Sequence, residues 1–269
     1  MEDGIIDIVE QSDRQVLLSR LTSIKELEGN PMGVEFLHID TCTAFTIGKI
    51  PGPSFNKVIG FRDDHIKELS TILSFYQHKS IPARFELIPS NDTARTKEIL
   101  KNRGYVQTDS HQVLYQDVDD LNKNNDLNKN DYIHIRELYE SEFNLYAKIY
   151  VESFHMPYFL EKSVSQNNAI LRFNPEWKFY VASIEETAVG IAALHIKGSI
   201  GTLAIAATLL NYRNKGVHTK LLQKRMTDAK DAGCKLIVGQ AACDSVSQRN
   251  MEKVGMRIAY TKFICERNL

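Results

Sequence analysis

Between Leu203 and Thr219 the chain reads LAIAATLLNYRNKGVHT, and the types and order of these residues suit the binding of a phosphate. A β-rich run ends near Thr208, a short loop follows, and a helix is expected from about Gly216. The first N–H groups of a helix have no intrahelical acceptor, and together with the helix dipole they form an anion site. Gly216 leaves the backbone open where a side chain would block a ligand. Arg213, Lys215 and Lys220 surround this start, and no acid follows before Asp228. A free helix prefers acids in its first turn, so the charges favour a bound anion over the helix alone. A solvated basic turn has the same composition, and spacing by itself leaves the two readings even.

The elements that must hold this turn come from a chain of 269 residues, long enough for two domains. Hydrophobic residues at 43% and charged residues at 25% give the balance of a soluble globular protein. A net charge of -1 supplies no global field toward nucleic acid or an anionic membrane, so neither is an expected partner. Cys42, Cys234, Cys243 and Cys265 are scattered without zinc-ligand or redox spacing, as in a reducing cytosol. None of the eight histidines forms an H-x-x-x-H or H-E-x-x-H pair, so no metal is expected. The N-terminal residues lack a basic start and an apolar core, and no apolar run suits a membrane span; a cytoplasmic protein is expected.

The tract DLNKN, repeated from Asp120, is too polar to order itself by burial and reads as a linker over 119–131. It separates a first domain, 1–118, from a second, 132–269. Each carries strand, helix, strand, helix, strand, with further strands ahead near 34–49 and 177–197. In the first half these fall at 57–61, 63–76, 84–88, a helix capped by Asn91 or Asp92 that stops at Gly104, and a pair of strands within 105–118. In the second they fall at 202–208, 216–232, 235–239, a helix from about Ser245 to Gly255, and 256–265. This alternation implies an α/β fold with parallel pairs at the centre of each sheet.

Two motifs in the second half carry a family resemblance. Arg213-Asn-Lys-Gly216-Val-His218 resembles the R/Q-x-x-G-x-G/A signature of the GNAT superfamily of acetyl-CoA-dependent N-acetyltransferases. Ser247-Gln-Arg-Asn-Met-Glu-Lys-Val-Gly-Met256 is similar to that family's S-x-R-N-x-E-K-x-G-F segment. The first half resembles the same fold more faintly, with Arg62-Asp-Asp-His65 and no glycine where phosphates would sit. Acids there repel a pyrophosphate, so this copy is expected to be degenerate. The resemblance thus implies two GNAT-like domains, each a mixed, mostly antiparallel sheet with a central parallel pair flanked by helices.

The resemblance also implies a site. A coenzyme arm would pair with the strand end at Ala206, Ala207, Thr208 and Leu210. The pyrophosphate would lie on the N–H groups of Asn214, Lys215, Gly216, Val217, His218 and Thr219, with Arg213 and Lys215 adding charge. The acetyl carbonyl would lie near the N–H of Thr208 while an amine of a small molecule or peptide attacks directly. His218 replaces a small residue, and is read as a helix-surface side chain rather than a phosphate ligand. Met251 stands where many members carry a proton-donating tyrosine, and thioether sulfur donates no proton. Tyr260, Cys243 and Asp244 are candidates by chain position, each also explained structurally, Asp244 as a helix cap.

Residues 154–159 are expected to line an acceptor pocket or pack locally, and Glu140, Glu142 and Glu152 to attract a cationic amine or form a solvated face. An acyl-CoA-binding pseudo-enzyme acting as a sensor is the alternative function. The first half is otherwise a platform that covers the acceptor groove or forms a homodimer.

Overall fold

The computed structural model describes residues 2–50, 52–90, 93–124 and 132–268. The first half runs α1 (Glu2–Lys25), β1 (Val34–Ile39), β2 (Cys42–Ile47), β3 (Val58–Ile59), a 3-10 turn (Asp63–Glu68) into α2 (Leu69–Gln77), β4 (Arg84–Leu87), α3 (Thr93–Lys101) and β5 (Tyr105–Asp117). The second runs β6 (Ile133–Glu137), α4 (Phe143–Ser153), α5 (Glu161–Ala169), β7 (Trp177–Ile184), β8 (Thr187–Lys197), β9 (Ile200–Thr208), α6 (Val217–Asp231), β10 (Leu236–Ala242), α7 (Val246–Lys253) and β11 (Arg257–Arg267).

Two compact units result, and they do not follow the sequence boundary. The first comprises Met1–Val113, Ala241–Cys243 and Ile258–Leu269; the second comprises Leu114–Gln240 and Asp244–Arg257. The expected domains, 1–118 and 132–269, therefore differ from the compact units at both ends. The reason is the partner of β11, which pairs antiparallel with β4, placing Phe263 opposite Leu87 and Cys265 opposite Phe85. Residues 105–118 hold one thirteen-residue strand, β5, rather than a pair. Of the expected linker, the start folds as a 3-10 turn, Val118–Asn124, and residues 125–131 lie outside the described ones, as do the cap candidates Asn91 and Asp92.

In the first unit the strand order is β1-β2-β3-β4-β11-β5, with β3 and β4 parallel and β1, β2, β3 antiparallel in sequence. Ile72 and Tyr76 of α2 and Leu100 of α3 form one core with Val58, Phe85, Leu87 and Cys265. Phe85 meets Phe61 and Tyr105 edge-on at 5.2 Å each, an arrangement that suits aromatic quadrupoles. Glu86, next along β4, points to the other face, where α1 brings Asp13. The helix α1, absent from the sequence reading, buries Val9, Leu17, Leu21 and Ile24.

In the second unit the order is β10-β9-β8-β7-β6 beside the last residues of β5. Neighbours from β6 to β9 are antiparallel, and β9 with β10 is the parallel pair. Phe179 of β7 meets Phe143 of α4 edge-on at 5.2 Å, while the next residue, Tyr180, donates to Asp228 of α6 at 2.8 Å. Consecutive strand residues face opposite sides, so α4 and α6 cover opposite faces of this sheet. Among the described residues, no helix is long and apolar enough to cross a membrane.

Candidate active site in the second unit

The site begins where the parallel pair ends. β9 and β10 are in register only from Ile200–Leu203 against Leu236–Gly239, and β9 then runs on to Thr208. On its other edge β9 loses step with β8: Ala193 faces Ile205 and Leu194 faces Leu203, leaving Ala204 without a partner. A bulge of this kind bends a strand and increases its twist. Arg225 of α6, 1% exposed, fixes it by donating to the carbonyls of Ala193 at 3.2 Å and Ile205 at 3.0 Å. Its Nε donates to Leu221 one turn back at 3.0 Å. Burial lowers this guanidinium to about 10, so it remains a cation at neutral pH, solvated by carbonyl dipoles.

Close packing brings the start of α6 onto the strand ends. A Cβ on Gly190 of β8 would lie 2.8 Å from Val217, the first residue of α6, and 3.1 Å from the Ala207 carbonyl. Gly216 precedes the helix with φ 91°, a left-handed conformation that favours glycine. No side chain caps this end, so the amides of Val217, His218 and Thr219 have no partner within the helix. Arg213 ties the preceding loop down: Nε donates to the Thr208 carbonyl at 3.2 Å and Nη2 to the Ser153 carbonyl at 3.0 Å. One guanidinium thereby holds the end of β9 beside the end of α4.

These parts enclose a cavity of about 740 Å³. Ala206, Ala207, Thr208, Arg213, Asn214, Lys215, Gly216, Val217, His218 and Thr219 all line it, so most of the expected coenzyme residues come together. Leu210 is the exception and opens onto a neighbouring cavity of about 420 Å³. The sequence reading did not assign Ser153, Phe154, Tyr132 and Asn250 to the coenzyme site, and they also line the cavity. Phe154 lay within a segment already considered for the acceptor and Asn250 within the motif from Ser247 to Met256; no local signal marked Ser153 or Tyr132. Thr208 Oγ1 and Ser153 Oγ are buried hydroxyls without a hydrogen-bond partner. Unbonded buried hydroxyls in a cavity wall, beside free helix amides, fit a ligand with carbonyl and phosphate oxygens.

Other expectations change. Arg213 gives two of its five N–H donors to backbone carbonyls, so it shapes the loop as well as bringing charge to the cavity. His218 is half-buried, with Nδ1 3.2 Å from Asn250 Nδ2, and burial followed by the nearby Arg225 holds it down at about 4. It is a neutral side chain of the wall, not an exposed helix-surface residue. Met251 is buried, its sulfur and methyl 3.3 and 3.2 Å from where a Gly239 Cβ would stand, packed over the last paired residues of β9 and β10.

Two of the three catalytic candidates lie elsewhere. Tyr260 sits on β11 in the first unit, buried, where desolvation and Asp13, Glu10 and Glu86 push its hydroxyl far above the ordinary tyrosine range. Alternation along β11 turns it toward α1, which proximity in sequence to α7 did not reveal. Asp244 has φ 58° and is absent from the cavity wall; the cap of α7 is Ser245, whose Oγ accepts from Gln248 N at 3.1 Å. Cys243 belongs to the first unit and accepts from Ser110 Oγ at 3.3 Å. Thr208 alone of the three stands in the site.

The smaller cavity is lined by Val151, Glu152, His155, Met156, Tyr158 and the loop 209–212, so it shares Tyr212 with the larger one. Of the acids considered for a cationic acceptor, Glu152 alone reaches it; Glu142 is held by both Nη atoms of Arg136 at 2.6 and 2.7 Å. Glu140 lies 4.0 Å from Arg172.

The corresponding turn of the first unit is closed by its own side chains. Arg62 N donates to His65 Nδ1 at 3.2 Å, and Nη2 of Arg62 reaches Asp7 at 2.8 Å and Glu10 at 2.6 Å on α1. His65 is 2% exposed beside two first-turn acids, Asp63 and Asp64. An anion there would meet carboxylates instead of free amides.

Residues 134–256 match the model of the acetyltransferase (GNAT) family. A GCN5-related N-acetyltransferase from Kribbella flavida shares the fold with a TM-score of 0.66 at 13% identity, over 93% of this chain and 96% of that one. A conserved protein of unknown function from Staphylococcus epidermidis gives 0.64 at 12% identity, over 91% and 98%. A tandem GNAT protein from the clavulanic acid biosynthesis pathway gives 0.58 at 10%, over 79% and 74%. At such identities the likeness is one of fold. No curated protein matches the sequence. The family likeness in sequence is thus confined to the segment from 134 to 256, which holds the cavity's strand ends and α6. Among the described residues no group of three or more His, Cys, Asp or Glu is placed to hold a metal ion.

Proposed function

We propose that the second unit transfers an acetyl group from acetyl-CoA to a primary amine of a small molecule or peptide. The observation that carries this is the cavity formed where β9 leaves β10, with the uncapped N-terminus of α6 at one side and two unbonded hydroxyls in its wall. The amides of 217–219 would hold the pyrophosphate, and Lys215 would add charge. The unpaired edge of β9 beyond Leu203 would take the pantetheine amides as an added strand. Thr208 would polarise the acetyl carbonyl. The amine would enter by the smaller cavity, where Glu152 attracts a cation and Val151, Met156 and Leu209 offer apolar surface. The first unit is proposed to be a degenerate copy, since Arg62, His65 and α1 occupy its turn.

The test is release of free thiol from acetyl-CoA against a broad panel of primary amines, with binding of acetyl-CoA measured alongside. Turnover with at least one amine supports the reading. Tight binding with persistent silence across the panel favours the second reading, an acyl-CoA sensor, which the burial of Met251 at the usual tyrosine position motivates. No binding at all removes both.

A further inference from the structure

We propose that Ser153 is a catalytic hydroxyl, relaying a proton from the attacking amine to the departing thiolate; this rests on the acetyl-transfer reading. Ser153 ends α4 and is 5% exposed, and it lines the larger cavity. A serine at such a position ordinarily bonds back to the carbonyl four residues earlier. Here Oγ is buried and bonds to nothing. A buried hydroxyl left without a partner is costly, so one kept in a cavity wall points to a partner that arrives only during the reaction.

The position of Ser153 is fixed rather than incidental. Arg213 grips the carbonyls of Ser153 and Thr208 together, at 3.0 and 3.2 Å, so both unbonded hydroxyls stand where β9 ends. Tyr132, another hydroxyl of the wall, is already committed, donating to the Lys215 carbonyl at 3.2 Å. Asn250 is engaged with His218. Met251 brings no proton donor and packs against Gly239. Thr208 then serves the carbonyl oxygen, and Ser153, the other wall hydroxyl that is buried and unbonded, serves the sulfur.

The chemistry balances without another reagent. The amine nitrogen forms the new C–N bond, and the C–S bond breaks with its electron pair on sulfur. The surplus proton on nitrogen passes to Ser153 Oγ while Oγ gives its own proton to sulfur. The products are the amide and the free thiol, and the serine is unchanged. A serine hydroxyl is too weak an acid to give up a proton unaided, so a relay is the form this role takes.

The full-length chain, acetyl-CoA and any amine turned over by the wild type test this. Ser153→Ala should lower kcat on the order of 100-fold, leaving acetyl-CoA affinity and its KM unchanged. Ser153→Thr, which keeps the hydroxyl, should restore most of the rate. The alanine deficit should narrow above a pH of about 8.5, where thiolate leaves without needing a proton. An alanine variant as fast as the wild type, or equally impaired at every pH, overturns the role of Ser153 and leaves acetyl transfer standing. A wild type that binds acetyl-CoA and acetylates nothing in the panel overturns both.

Discussion

Arg225 donates to the carbonyl of Ile205, 3.0 Å away, at the place where β9 falls out of step with β8. The same guanidinium reaches Ala193 across the bulge, so a buried charge on α6 shapes the strand whose far end lines the larger cavity. Loss of two charge-assisted bonds in the interior should cost about 2–4 kcal/mol in Arg225→Gln. Denaturant unfolding checks this. Arg225→Lys should recover only part, because an ammonium lacks the planar fork. A glutamine variant with wild-type stability would mean that the bulge holds itself.

Coenzyme affinity should respond to the loop in two distinguishable ways. Gly216→Glu places a side chain and a negative charge at a left-handed position beside the open amides, and titration calorimetry should detect no binding of acetyl-CoA. Arg213→Ala frees the ends of β9 and α4 from each other and should weaken affinity by about 1–3 kcal/mol. If both variants bind as the wild type does, the coenzyme lies elsewhere.

His218 gives the second unit an acid limit. Its ionisation in the folded chain is depressed to about 4 from 6.5. The unfolded chain therefore binds the extra proton first, and stability falls as pH drops from 6.5 toward 4. His218→Gln, which can keep a bond to Asn250, should flatten that part of the melting-temperature profile. An unchanged slope would assign the acid sensitivity to other groups.

Lys262, 2% exposed on β11, bonds to Asp13 at 2.8 Å and Glu86 at 2.6 Å, while Lys57 also reaches Glu86 at 3.1 Å. These cations hold the Glu86 carboxyl well below its usual range despite burial. Lys262→Met leaves two acids short of their partner and should cost about 3–5 kcal/mol. Replacing Lys262, Lys57, Glu86 and Asp13 together with apolar residues should be less harmful, since no member of the cluster is then left without its partner; thermal unfolding of the two variants would compare them.

Much of this was legible in the chain because glycine, charge and periodicity act locally. The approach to α6, the basic turn and the run from Ser247 to Met256 announce themselves within a few residues, and ten of the eleven expected coenzyme residues line one cavity. The misses share a cause. Asp13 and Arg20 sit among Val9, Leu17, Leu21 and Ile24 on α1, and a charge on the buried stripe hid the helix. Arg225 stands likewise among Leu221, Leu222 and Met226, and a search for charges inside apolar stripes would have found it. Ser153 carried no such mark, because its importance lies in a bond it does not make. Tyr260 was placed by sequence distance, whereas a strand's neighbours are chosen across the sheet.

The return of β11 to the first unit has a consequence for how the chain comes off the ribosome. Between β4 and β5 the first unit has a place that only β11, far along the chain, fills. The first half emerges with that gap open, and its sheet stays unfinished until residues 258–267 have been made. A nascent chain stalled before β11 has emerged would carry an unsealed strand edge, a template for aggregation.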